Sequence, residues 1–286
     1  MLKSRGLVLE GGAFRSVFSA GVLDFFLEQD FHFPNIVTLS AGAYAALNYV
    51  SRQPRRLIDT NIEPLKKKRY LGLGIFIRTG SLFDMDFLFN RMPNELVPFD
   101  YETFFASEQR LVMHATNCRT GKAVYYDDYR DDKRLMDICR ASNSMPFITP
   151  VIEIDGEPML DGGMYDAIPV EKALADGCEK IVVVFTRTKE YRKKSRWFYN
   201  FMISLVYRRY PEFVKVVRQR PARYNETLAL IDELEAQGKA YIIRPGQRPV
   251  HNHESNPDKL LKFYQHGYQT AQEKFQEIKD FLDATP

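Results

Sequence analysis

The stretch GLVLEGGAFRSVFSAGVLDFFLEQ, residues 6–29, decides the fold. Residues 6–9 form an apolar run of strand length, and residues 10–15 form a turn containing two glycines. Val17, Phe18, Gly21, Val22, Phe25 and Phe26 then recur every three or four positions, which predicts a helix to about Gln29. Strand, glycine turn and helix is the opening unit of an α/β sheet. Downstream the pattern repeats. Residues 36–39 read as a second strand, followed by a helix of small residues over 41–49. Residues 111–116 read as a third strand, which turns through Arg119-Thr120-Gly121-Lys122 into 123–126. A helix over 131–141 precedes strands at 151–154 and 159–160, joined by the turn Asp155-Gly156-Glu157. Residues 169–176 predict a helix closed by Gly177, and 180–185 a buried central strand.

The last third is mainly helical. Phe198, Phe201, Met202 and Leu205 make one stripe, and Phe213, Val216 and Val217 another, with a late strand at 241–243. Ser255-Asn256-Pro257-Asp258 reads as a capping box opening a long amphipathic helix through Leu282. No stretch has linker composition, so a single domain over residues 1–286 is expected, with an elaborated basic helical segment at about 187–235.

Composition narrows the function classes. With 286 residues, 45% hydrophobic and 27% charged, a disordered or low-complexity chain is excluded. The three cysteines, Cys118, Cys139 and Cys178, are odd in number and lack C-x-x-C spacing, which argues for reduced thiols and against a zinc site. The apolar run at 6–9 is too short for a signal-peptide core, so a cytoplasmic location is expected. Residues 31–51 carry no formal charge yet contain Pro34, Asn35, Ser40, Gly42 and Asn48, and read as strand, turn and helix rather than a membrane span. Residues 187–223 hold twelve Lys or Arg against two Glu, so one segment is strongly basic while the whole chain is only +3.

Two serines carry S-x-G. Ser19 lies inside a helical pattern with no strand before it, whereas Ser40 directly follows a strand and opens a small-residue helix, the setting a nucleophile elbow requires. Glu10-Gly11-Gly12-Ala13-Phe14-Arg15 can converge successive backbone N–H groups on an anion, and Arg15 adds a positive charge suited to an oxyanion or a phosphate. A dinucleotide fingerprint would need a further glycine near position 16, which is Ser16. Asp161-Gly162-Gly163 follows the strand at 159–160 and offers a carboxylate. None of the five histidines lies in a recognisable motif, although chain order leaves His251 open as a base.

These residues together resemble the patatin-like phospholipases. LVLEGGAFRSVFSAGVLD is similar to the family's glycine-rich oxyanion loop and following helix, and IVTLSAGAYAALN to its elbow. ASNSMPFITPVIEIDGEPMLDGGMYDAIPVEKALADG is similar to the block ending in its D-G-G aspartate. The resemblance implies a three-layer α/β/α sandwich with a central, mostly parallel sheet, and a lipid acyl hydrolase, phospholipase A-like. It implies Ser40 as nucleophile, Asp161 as base, and Gly11, Gly12 and Ala13 as oxyanion-hole backbone with Arg15 beside them. No metal or cofactor is implied. The partners expected are a phospholipid or other acyl ester and an anionic membrane surface touched peripherally, at the inner membrane; no nucleic acid is expected. The alternatives are a hydrolase of soluble esters or thioesters and a weakly active lipid-binding relative. Thr38 stands where the family's elbow has glycine, and Ala13 and Ser16 replace two further glycines. The helix alanines Ala43, Ala45 and Ala46 are expected to make room for Thr38.

Overall fold

The computed structural model describes residues 4–66, 72–79 and 81–284. Eight strands form one sheet: β1 (Arg5–Leu9), β2 (Asn35–Thr38), β3 (Arg110–Asn117), β4 (Ala123–Tyr126), β5 (Ile152–Ile154), β6 (Glu157–Asp161), β7 (Lys180–Val184) and β8 (Ala240–Ile243). Their order is β5-β6-β3-β2-β1-β7-β8, with β4 also paired to β3. The run β3-β2-β1-β7-β8 is parallel; β4, β5 and β6 are antiparallel to their neighbours.

The middles of β1, β2, β3 and β7 are apolar on both faces because both faces are covered. Alternate side chains enter different cores. Leu7, Leu9, Ile36, Leu111, Met113, Val182 and Val184 face one core, which is shared with α1 (Val17–Glu28), α2 (Ser40–Val50), α3 (Asp132–Ser142) and α7 (Pro257–Asp283). Val8, Val37, Val112, Ile181 and Val183 face the other, shared with α4 (Val170–Ala175) and α6 (Pro211–Ala236). The result is a three-layer α/β/α arrangement.

Helix α7 closes the first core by lying against α1 at a distance only glycine permits. A Cβ on Gly21 would stand 2.1 Å from the Tyr264 carbonyl oxygen, and one on Gly267 would stand 2.0 Å from that of Phe18. The cap of α7 lies one residue beyond the expected Ser255. Asn256 is the N-cap, its Oδ1 accepting from the amides of Asp258 and Lys259, with Pro257 as the first helical residue. The β5–β6 turn holds Asp155 and Gly156 at φ 53° and 76°, the left-handed pair that a two-residue hairpin needs. All three cysteines are buried and unpaired.

The stripe at 198–205 does not face a core. In α5 (Trp197–Val206) Ile203 is buried, whereas Trp197, Phe198, Phe201, Leu205 and Val206 are each more than half exposed. Among the described residues no helix is long and apolar enough to cross a membrane.

Asp24, on α1, is buried and ties this face together by accepting from the Tyr264 hydroxyl at 2.6 Å and from the Arg55 amide at 2.8 Å. Burial outweighs these bonds and pushes its carboxyl up to about 6. The folded state therefore keeps this proton to a higher pH than the unfolded chain does. The stability it contributes is complete below about pH 4 and is lost as pH rises to 6 and beyond, an effect of about 3 kcal/mol. Urea unfolding from pH 4 to 7 should show wild type losing stability relative to Asp24→Asn by that order; parallel pH curves would refute the assignment.

Candidate active site

Strand β2 ends at Thr38, and Leu39 continues extended at φ −158° and ψ 166°. Ser40 then turns to φ 53°, a conformation costly for a residue with a side chain, and α2 begins at once. The sharp reversal is held from beneath. The Ser40 amide donates to Ser142 Oγ at 2.8 Å, and Ser142 Oγ donates to the His114 carbonyl at 2.7 Å. Thr38 is fully buried, and its Oγ1 donates to the Leu9 carbonyl at 3.4 Å. The residue placed against that hydroxyl is Gly42: a Cβ there would lie 2.7 Å from Thr38 Oγ1 and 3.2 Å from the Glu10 carbonyl oxygen. Glycine 42, rather than the alanine face expected from the sequence, supplies the room at this contact.

Asp161 reaches Ser40 because β3 is longer than β2. Thr38, the last residue of β2, pairs with Met113, but β3 continues to Asn117. On that extension β6 runs back antiparallel, with Asn117 opposite Met159 and Ala115 opposite Asp161. Asp161 thus stops two residues beyond the Thr38 pairing, level with Ser40. Its amide donates to the Ser144 carbonyl at 2.7 Å, and Thr116 Oγ1 donates to its carbonyl at 2.9 Å. Its Oδ1 accepts from the Gly163 amide at 2.8 Å, and its Oδ2 accepts from Ser40 Oγ at 2.6 Å. Burial pushes this carboxyl above the ordinary aspartate range, while the Ser40 hydroxyl, the Arg220 charge and the Gly163 amide pull the other way.

The loop from β1 covers the same spot. A Cβ on Gly11 would stand 3.1 Å from Ser40 Cβ, so this loop packs directly on the serine. The Gly11 amide donates to the Ala167 carbonyl at 3.3 Å, and the Arg15 amide to Gly12 at 3.1 Å. Ala13 sits at φ 49°, the left-handed region that glycine adopts freely. Beyond Ser40 opens a groove of about 730 Å³, its open solvent side included, walled by Phe14, Val17, Tyr44, Leu57, Phe83 and Phe89 among others.

Serine, aspartate and glycine loop thus converge at the carboxyl end of a parallel sheet beside an apolar groove. The model of the patatin-like phospholipases matches residues 7–174, more than half of the chain and all three of these elements. The chain belongs to the patatin-like phospholipase family. A second model, for a domain of unknown function (DUF6363), matches residues 210–283. A protein of Escherichia coli strain K12, the uncharacterized protein YjjU, is 28% identical over 257 residues, covering 86% of this chain and 69% of its own. The solved structure of VipD from Legionella pneumophila aligns with 96% of this chain and 67% of its own, at 13% identity and a TM-score of 0.48.

Within this patatin-like site Ser40 meets Asp161 and Gly11 directly, with Gly12, Ala13 and Arg15 following Gly11 in the loop, whereas His251 and His253 lie exposed in the loop before α7, their rings 5.8 Å apart and tilted. His114 is buried behind Gly162, its Nε2 against the Asp166 carbonyl, and it makes no hydrogen bond to Ser40. Ser142, Ser144, Thr116 and Arg220 were not legible as site residues. The only signal was polar residues clustered at the end of a predicted helix in Ser142-Asn143-Ser144.

Gly42→Ala should drive the elbow off its geometry and cut turnover by about a hundredfold, since a shift of about 1 Å at the reacting atom costs that much. Adding Thr38→Gly should return part of the loss by removing the 2.7 Å collision. Steady-state kinetics on a p-nitrophenyl ester decide; a fully active Gly42→Ala would show that the elbow tolerates the extra carbon.

Proposed function

We propose that the protein hydrolyses acyl esters of lipids through an acyl-enzyme on Ser40, with Asp161 as the general base. The observation that carries this reading is the 2.6 Å hydrogen bond from Ser40 Oγ to a buried aspartate at the mouth of an apolar groove. Asp161 takes the serine proton as Oγ attacks the ester carbonyl, and that proton leaves on the departing alcohol. Water then yields a proton to Asp161, attacks the acylated serine, and releases the carboxylic acid with Ser40 restored. The amides of Gly12 and Ala13 are the donors assigned to the oxyanion, each worth about 3 kcal/mol of barrier. Gly11, whose amide is already engaged by Ala167, shapes the loop instead. Arg15 stays beside them as a fixed charge, and the groove takes the acyl chain. The organisation proposed is one domain with 187–235 as its elaborated basic segment.

Ser40→Ala and Asp161→Asn should each lower hydrolysis of a medium-chain p-nitrophenyl ester on the order of a thousandfold, while a His251→Ala/His253→Ala double variant stays at the wild-type rate. Because burial holds Asp161 above the usual value of 3.8, kcat/KM should fall with decreasing pH through a midpoint higher than that. Loss of activity in the histidine variant, with the fold retained, would replace the dyad by a triad.

The membrane contact is proposed at α5. Its exposed face of Trp197, Phe198, Phe201 and Leu205 is flanked by exposed Lys194 and Arg196 before it and Arg208 and Arg209 after it. An aromatic face rimmed by cations fits an anionic bilayer surface, each basic residue adding about 1 kcal/mol near the lipid. Sedimentation with phosphatidylglycerol vesicles should show binding that weakens with salt and that is lost in Phe198→Ser/Phe201→Ser. Equal binding to purely phosphatidylcholine vesicles would remove the electrostatic part.

A further inference from the structure

Around the β1 loop lies a group of neighbouring cations, of which Arg220 also acts on Asp161. Arg15 comes from that loop, Arg187 from the end of β7, Lys193 from the segment after it, and Arg220 from α6. The elements are locked together. A Cβ on Gly12 would touch Thr186 at 2.8 Å, and the Lys193 backbone exchanges hydrogen bonds with the Asn225 side chain of α6. Arg220 reaches the dyad itself, its Nη2 lying 3.3 Å from where a Cβ on Gly163 would stand.

Among the described residues none of the four makes an ion pair within 4.0 Å, and none donates a side-chain hydrogen bond. Arg15 is 9% exposed, and the Nε atoms of Arg15 and Arg220 are sealed from water with no acceptor. The nearby carboxylate, Glu10, is already saturated by neutral donors: the Tyr224 hydroxyl at 2.7 Å, and the Thr186 amide and hydroxyl at 2.6 and 2.8 Å. What the cations have instead is aromatic faces, Arg187 4.1 Å above the Tyr191 ring and Lys193 4.6 Å above that of Tyr224. Burial first, and then the charges of Arg220, Arg15 and Arg187, hold the Lys193 ammonium well below its ordinary range, outweighing the opposite pull of Glu10. A buried cation that lacks a partner is costly, and an anion arriving there gains charge-assisted hydrogen bonds from donors already in place.

We propose that Arg15, Arg187, Lys193 and Arg220 form a subsite for a phosphate group, joined to the dyad through Arg220 so that it selects a phosphate-bearing ester. The selection of substrate rests on the hydrolase reading; the anion site does not. Three of the four residues lie beyond residue 174, where the patatin-like match ends.

The test uses Ser40→Ala protein, in which nothing is turned over, and calorimetric titration with inorganic phosphate, glycerol 3-phosphate, dihexanoylphosphatidic acid below its micelle concentration, and dihexanoylglycerol. The phosphates should bind, and Lys193→Gln and Arg187→Gln should each weaken them by roughly tenfold, with Lys193→Arg restoring the affinity. Arg218→Gln removes an exposed charge from the same helix and should change nothing. Dihexanoylphosphatidic acid binding more tightly than glycerol 3-phosphate identifies a lipid headgroup as the source of the phosphate, and equal affinities identify free phosphate; either supports the anion site. No binding of inorganic phosphate or glycerol 3-phosphate at about 10 mM to protein with the wild-type circular dichroism overturns it. So does an equal loss in Arg218→Gln, or equal affinity for dihexanoylphosphatidic acid and dihexanoylglycerol. Wild-type protein that binds phosphate but cleaves no ester would leave the subsite standing and remove the hydrolase reading.

Discussion

The meeting of Ser40 and Asp161 depends on β3 outrunning β2. Parallel neighbours bring strand ends to one level, where a turn into a helix can display a serine but nothing across from it can answer. Extending β3 to Asn117 provides an edge on which β6 returns in the opposite direction, and the register of Ala115 with Asp161 sets the carboxylate at the height of the elbow. A shift of one residue in that pairing would turn Asp161 to the other face of the sheet. Register here is therefore a chemical as well as a structural constraint. Ser144 and Thr116 fasten the backbone at Asp161, and Ser142 fastens it at Ser40. The two ends of the short hydrogen bond are held by separate elements, α3 and β3, that are themselves packed together.

That precision has an electrostatic cost. Asp161 is 3% exposed, and its position raises the free energy of its charged form, the form a base must have. One hydroxyl, one amide and the charge of Arg220 offset part of the penalty. A strained serine at φ 53° and an alanine at φ 49° stand within the same few ångströms. The large apolar cores on the two faces of the sheet are what such a site draws on, since a strained or desolvated group persists only where surrounding packing over-determines it.

Much of this was legible in the amino-acid sequence, and the exceptions have a common cause. The β-branched runs in β1, β2 and β7 are buried on both faces and so read as continuous apolar segments, and the glycine loop, the elbow and Asp161-Gly162-Gly163 each follow such a run directly. Local pattern names an element and the residue at its end. It does not name what packs against it. Ser142 looked like a helix-terminal serine because its two partners, at positions 40 and 114, are distant in sequence. The periodicity of Phe198, Phe201 and Leu205 shows that a helix has an apolar face without showing that the face is left uncovered. The cap of α7 moved by one residue because Ser and Asn adjoin, and Asn256 is the one whose carbonyl oxygen meets two free amides. Thr38 was legible as an intrusion, but the residue that stands against its hydroxyl is a single glycine two positions past Ser40.

The basic segment is the clearest case of composition that acquires meaning only in three dimensions. Twelve cations between residues 187 and 223 read as one charged stretch, yet the fold gives seven of them two different surroundings. Lys194, Arg196, Arg208 and Arg209 remain in water around an apolar helix face, where charge acts at long range and is screened by salt. Arg187, Lys193 and Arg220 are half-buried and gather near the buried Arg15, where screening is weaker. The first population suits a surface, the second a single small anion.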